Sequence, residues 1–445
     1  NNSWWAFPGE EYTWTGATSS DWHTASNWSP AFVPGYYTKV VMGSGAANNP
    51  VLSRDVDLKA DVITDSAGRE YSSKITVPDG TVLDIADCNL TCGTLVNKGR
   101  LRLKGVSGQN VTGSVKNEMA DASSSYAGSE VEYYGANIEK FIAANASGKE
   151  YCQLLINGNV NLAAGQTVTA ETAVVETLCN SIGAVSSAAL NFAGTPLLVK
   201  AESLSINTPV NAGNFVFYKG RISVNAALSS EKDVVVLGKN YSPDDPVTGK
   251  TGILAYETAR SAFRGYSADL DAGPYSAELT VGGGVTITAG KNFYANGTKL
   301  VSASEWYLKV SSNLVASNCF LEAYNTEVQN SKVICADGTS DGSSAQVAAE
   351  NCIDSGGNVN WDFDAAEIET AYTLQDSLIY VKFNKPVRNT SGEILSAVSN
   401  SKVQFKSASS LVPYSSVYLD AACTTPLPAS QSVQEFYLKG SVSWN

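Results

Sequence analysis

The chain has little of several things. Among 445 residues there are one histidine and two methionines, and charged side chains make up 16 %. No apolar run approaches the ~18 residues that a membrane-spanning helix needs, so no such span is expected. The opening "NNSWWAFPGEEY" lacks the basic and apolar regions of a signal peptide, so the chain reads as already processed or excised. Lysine and arginine number 30 against 43 acidic residues, a net charge of −13 that leaves no basic surface for phosphate and excludes nucleic acid as a partner. With a single imidazole, a histidine-dependent nucleophilic triad would have to use His23, and no Gly-x-Ser-x-Gly sequence offers it a partner. His23 is therefore read as a turn residue.

What is present is 43 % apolar residues under a surface supplied by Ser, Thr, Asn, Gly and Ala, as in extracellular β-rich proteins. Short β-branched or aliphatic runs recur between Gly, Asn and Asp turns, and long helical periodicity is nearly absent. In "KITVPDGTVLDIADCNLTCGTLVNKGRLRLKG" (74–105) strands of about four residues alternate with Gly80, Gly93, Gly99 and Gly105. The same grammar returns in 154–168, 197–213, 277–290 and 320–334. Antiparallel sandwiches and a solenoid of coils of roughly 20 to 25 residues are both possible, and the short strands with tight polar turns favour the solenoid. The spacing of Cys319, Cys335 and Cys352, 16 and 17 residues, is close to one coil, which would stack or bridge them. Segments 120–150 and 238–275 read as excursions, with one short helix expected around Ile138, Phe141 and Ile142. Near residue 365 longer alternating strands begin. In "SLIYVKF", Ile379, Val381 and Phe383 face one way and Leu378, Tyr380 and Lys382 the other.

With these residues in hand, the chain resembles secreted bacterial surface proteins of the filamentous-haemagglutinin and autotransporter-passenger type. The resemblance is carried by Trp14, Gly16, Ser19, Asp21, Trp22, Asn27 and Trp28, by "GSEVEYYG" and by "NCIDSGGNVNWDF"; the tail around "IYVKFNKPV" looks like a bacterial Ig-like module. It implies an all-β chain outside the cell. Its parts would be an N-terminal cap (1–35), a right-handed parallel β-helix (36–365) and an Ig-like β-sandwich (366–445). It implies an adhesin or structural segment without catalysis or cofactor, whose partners are a host surface glycan, a matrix protein or other copies of the chain. The alternatives are a carbohydrate-active β-helix enzyme and a self-assembling surface-layer or filament component.

Glycosidase or lyase chemistry would need grouped carboxylates. Asp244 with Asp245 and Asp269 with Asp271 lie in turns, and Asp362 with Asp364 lies at the expected domain junction. Asp337 and Asp341 in "DGTSDG" are weak calcium candidates without the ligand pattern of an EF-hand. "TGKT" (248–251) has Asp244 where a phosphate loop needs glycine. Cys88 and Cys92 form a C-x3-C pair, read as a local disulfide or as buried thiols. Trp14, Trp22 and Trp28 are candidate carbohydrate-stacking residues, but a lid over the first coil is preferred, because an open end exposes apolar side chains and unpaired backbone.

Overall fold

The computed structural model describes residues 8–121, 123–185, 189–238, 275–310, 321–334, 347–350, 352–363, 368–375, 378–388, 406–407, 410–411, 414–427 and 432–440. Among the described residues the chain is all-β, with one short 3₁₀ turn at Ala25–Asn27. The strands up to Phe363 pair almost entirely in parallel, compatible with a β-solenoid.

The register shows how the stack is built. One unbroken row of paired residues runs Asp21, Val51, Asp84, Arg102, Glu132, Leu155, Val174, Leu198, Val216, Val235, Tyr294, Glu322, Ala348, Asp362. Thirteen steps of ~4.8 Å make this row about 62 Å long. A second parallel sheet of eight strands begins at Val160–Leu162 and ends at Ile353–Asp354. Near the amino terminus, Glu11–Trp14, Lys39–Met42, Lys74–Val77, Leu90–Asn97 and Val111–Asn117 form a further parallel ladder.

Alternation decides which side chains go inside. In Lys74–Val77, Ile75 and Val77 are fully buried while Lys74 is exposed, and both join one continuous core that reaches Trp361. From Tyr151–Ile156 to Phe293–Asn296 the long row is different. Strands such as Val234–Leu237 are buried on both faces, with Leu155, Val174, Leu198, Val216, Val235 and Tyr294 in a separate apolar cluster. Near-continuous apolar runs are what two-sided burial demands.

Asparagine side chains link neighbouring rungs. Asn117 Nδ2 donates to the carbonyls of Ala143 (2.7 Å) and Glu150 (3.0 Å), and its Oδ1 accepts from Asn97 Nδ2 at 3.1 Å. Similar links join Asn225 to Asn207 and Asn211 to Asn191. In the first of these, the buried amide of Asn117 satisfies two backbone carbonyls.

Two expectations are corrected. Segment 120–150 is not simply an excursion, because Glu130–Tyr133 is a rung paired in register with Arg100–Leu103 on one side and Gln153–Ile156 on the other. The helix expected around Ile138 does not form. Ile138 bridges in parallel to Val160, and the amides of Ile142 and Ala143 donate to the hydroxyl of Tyr133 at 2.6 and 3.0 Å, so tertiary partners replace helical ones. The excursion at 238–275 lies outside the described residues between 239 and 274.

The last strand of the parallel ladder is Trp361–Phe363, and Ile368–Gln375 opens an antiparallel sheet of four strands with Leu378–Arg388, Ser432–Gly440 and Tyr414–Tyr418. Ile379, Val381, Phe436 and Leu438 form its core, joined by Phe383, which agrees with the alternation read from "SLIYVKF"; Leu378 is also buried.

Asp233 sits two residues before Val235 and is 3 % exposed, accepting from Asn292 Nδ2 at 2.7 Å. Burial pushes its carboxyl above the ordinary 3.8. The folded chain then holds this proton more readily than the unfolded one, so stability falls as pH rises from 3.8 through the raised value, and the cost is fully present at neutral pH. Asp233→Asn is expected to raise the melting temperature at pH 7 and to lose that advantage near pH 3.8. A variant that gains nothing at pH 7 would mean that the buried carboxylate carries no such cost.

Candidate functional site

The three tryptophans proposed as a platform or a lid are buried, at 0, 0 and 3 % exposure for Trp14, Trp22 and Trp28. Trp28 packs edge-on against both others, with centroids 5.0 Å from Trp14 and 4.7 Å from Trp22. Two of the indole N–H groups are used inside the fold: Trp14 Nε1 donates to the carbonyl of Asn48 and Trp28 Nε1 to that of Trp22, each at 2.7 Å. Asn27, fully buried, accepts from the amides of Thr18 (2.9 Å) and Ser19 (3.0 Å) and donates to Asp21 O at 3.0 Å. Gly16 has φ +58°, and a Cβ there would stand 2.3 Å from Asn48 O. The W-x-G-x-x-S-x-D-W…N-W stretch is thus one folded unit at the first rung, where Trp28–Ser29 pairs antiparallel with Glu11–Trp14 and ends the sheet. No indole face is open for a sugar to stack on, which corrects the reading of these residues as a stacking platform.

His23 lies in a turn there, its amide donating to Asp21 Oδ1 at 3.2 Å and its Nδ1 3.3 Å from Ser53 Oγ. Burial holds its pKa below the ordinary value. Cys88 and Cys92 are buried thiols rather than a disulfide, and burial pushes Cys92 up to about 12. Cys352 is buried, while Cys319 and Cys335 lie outside the described residues, as do Asp244, Asp245, Asp269, Asp271, Asp337, Asp341, Asp364 and the TGKT stretch. Asp362 is exposed on the last rung of the parallel ladder.

The charged groups that do converge lie elsewhere, on the outer face of the long row. Parallel registry sets Arg100 beside Glu130 and Arg102 beside Glu132. Arg100 Nε is paired with Glu130 Oε2, and its Nη1 lies 3.7 Å from Glu132 Oε2. Arg102 donates from Nε to Glu132 at 2.8 Å and from Nη1 to Asp84 at 3.1 Å, with its guanidinium 4.3 Å above the ring of Tyr134. Asn157 Nδ2 donates to the other oxygen of Glu132 at 2.8 Å, and Tyr134 OH to Asp84 at 2.8 Å. Lys200 and Glu176 pair at 3.0 Å on the next rungs.

Over these residues lie two hollows of about 280 and 310 Å³ that share Arg100, Glu130 and Gln153. Asp79, Thr81, Val82, Lys98 and Ala127 also line the first, and Glu132, Leu155, Asn157, Glu176 and Lys200 the second. The second hollow gathers carboxylates, amides and cationic groups, which suits a polyhydroxylated ligand. Glu130 and Glu132 are two residues apart on one strand, so both carboxylates stand on the same face of the sheet. Arg100 spans both of them, and Glu132 is held by three partners.

The signal for this cluster stood in the sequence as "RLRL" and "EVEY", two short alternations of opposite charge thirty residues apart. In the sequence the second falls within a segment that reads as an excursion, and only parallel pairing sets one against the other. Among the described residues, no group of three or more His, Cys, Asp and Glu is arranged to hold a metal ion, and no helix is long and apolar enough to cross a membrane. Compared with protein-family models, with curated proteins and with solved structures, the chain has no match.

Proposed function

We propose that the chain is an extracellular bacterial surface protein with an adhesin-like binding or structural role and no catalysis. In this reading it is a right-handed parallel β-helix closed by a cap over residues 1–35, and it carries an Ig-like module over 366–445. The observation that carries the reading is the single row from Asp21 to Asp362, which gives a long, regular scaffold whose outer side chains change character from rung to rung. Stacked repeats of this kind favour extended binding surfaces. The polar cleft over Arg100, Glu130 and Lys200 is one place on that surface where a glycan chain could lie.

The cleft also favours a second reading, a carbohydrate-active enzyme, since Glu130, Glu132 and Glu176 gather there with Arg100 and Lys200. One pair of measurements separates the two. The full chain is applied to arrays of surface glycans and matrix proteins, and incubated with neutral and acidic polysaccharides with and without calcium. Saturable binding with no new chain ends is expected. Reproducible cleavage that is lost in Glu130→Gln and Glu132→Gln would overturn the non-catalytic reading in favour of the enzyme.

A further inference from the structure

The carboxy-terminal sheet carries a feature that the ionic cleft does not explain. Tyr372, Tyr380, Tyr437 and Tyr418 occupy directly paired positions on its four described strands, so four tyrosines stand in one row across them. Tyr372 and Tyr380 have centroids 5.0 Å apart, and Tyr380 and Tyr437 5.5 Å apart. The row lies on the face opposite the core of Ile379, Val381, Phe436 and Leu438, and Tyr372 is 50 % exposed.

We propose that this row is a binding platform for a single chain of a neutral polysaccharide, with successive sugar rings lying along successive tyrosines. The inference deepens the surface-binding reading above by naming a ligand class and a place, and it rests on that reading. The C–H face of a pyranose is weakly positive and apolar, and the face of an aromatic ring carries the complementary negative quadrupole. The ring spacing follows the ~4.8 Å between strands, comparable with the length of one sugar unit, so the rings match a polymer better than a lone monosaccharide.

Neighbouring charges select the kind of polymer. Lys382 pairs with Glu369 at 2.8 Å, and Tyr380 OH donates to Glu435 at 2.6 Å. The rim offers hydrogen-bonding groups of both signs, which favours neither a polyanion nor a polycation. The rings are also mutually tilted, by 39° and 56°. A twisted row fits one flexible chain and not the flat surface of a crystalline polymer.

Cross-strand tyrosine pairs also stabilise sheets, so the experiment must separate binding from folding. The full chain is run through native gels containing hydroxyethylcellulose, xylan, galactomannan or mixed-linkage glucan, with heparin as the anionic comparison. Tyr372→Ala, Tyr437→Ala and the corresponding phenylalanine variants are compared after their near-ultraviolet circular dichroism is matched to the parent. Retardation by at least one neutral polymer is expected. Each alanine should weaken it by up to about tenfold, the upper range for one aromatic contact, while phenylalanine, which keeps the ring, should retain it. If no neutral polymer retards the chain, or alanine and phenylalanine variants behave as the parent does, the platform is refuted. The broader reading then stands on any other ligand the full chain binds and falls if it binds none. Concentration-dependent oligomers abolished by Tyr372→Ala, without glycan retardation, would make the row a contact between copies and also refute the proposal.

Discussion

Replacing Trp28 by alanine is expected to cost about 3 to 5 kcal/mol, the range for removing a large aromatic side chain from a packed core. The indole lies between Trp14 and Trp22, and its Nε1 donates to Trp22 O at 2.7 Å, so the change opens a cavity and leaves a buried carbonyl without that donor. In a stacked fold each rung touches chiefly its neighbours, so the loss should be local before it is global. Hydrogen exchange should accelerate first in Glu11–Trp14 and Lys39–Met42, the rungs that the tryptophan stretch covers. Trp28→Phe should fall between, keeping most of the apolar volume but not the donor. If Trp28→Ala melts as the parent does and exchange in those strands is unchanged, the indoles do not hold the end of the stack together.

Arg102→Leu should be the second large effect. Its guanidinium serves Glu132 at 2.8 Å and Asp84 at 3.1 Å, carboxylates that are 5 and 6 % exposed. Removing one partner of a buried ion pair commonly costs ~3 to 5 kcal/mol, because the remaining charges lose their compensation. The arginine side chain is itself 34 % exposed, so solvent screening trims the expected loss to about 2 to 3 kcal/mol. Arg102→Leu combined with Glu132→Gln should recover part of it, since one uncompensated carboxylate is then gone. Equilibrium denaturation of the four proteins forming this cycle measures the coupling. Additive losses would mean that the cluster is a set of independent surface pairs.

The legible part of this protein was what repeats locally. Alternation in "SLIYVKF" sets Ile379, Val381 and Phe383 opposite Tyr380 and Lys382, and the structure packs the first set into the core; in "KITV" it buries the alternate residues Ile75 and Val77 in the same way. Those readings succeed because the direction of a strand side chain depends only on its immediate neighbours. The register was hidden. Along the row from Asp21 to Asp362 consecutive partners are separated by as few as 14 residues (Ala348 to Asp362) and as many as 59 (Val235 to Tyr294), so no fixed period marks them.

The sequence by itself determined the all-β class, the apolar interior of each rung and the distinct grammar of the two ends, because propensity and alternation act over a few residues. Only the tertiary structure decided which rungs are neighbours, and hence everything that depends on adjacency. It set Arg100 and Arg102 against Glu130 and Glu132, aligned four tyrosines across the last sheet, and turned three tryptophans from candidate ligands for a sugar into one another's packing partners. Side chains separated by tens of residues meet only once parallel hydrogen bonding brings their strands to ~4.8 Å, and loops of unequal length leave that meeting unwritten in any local pattern.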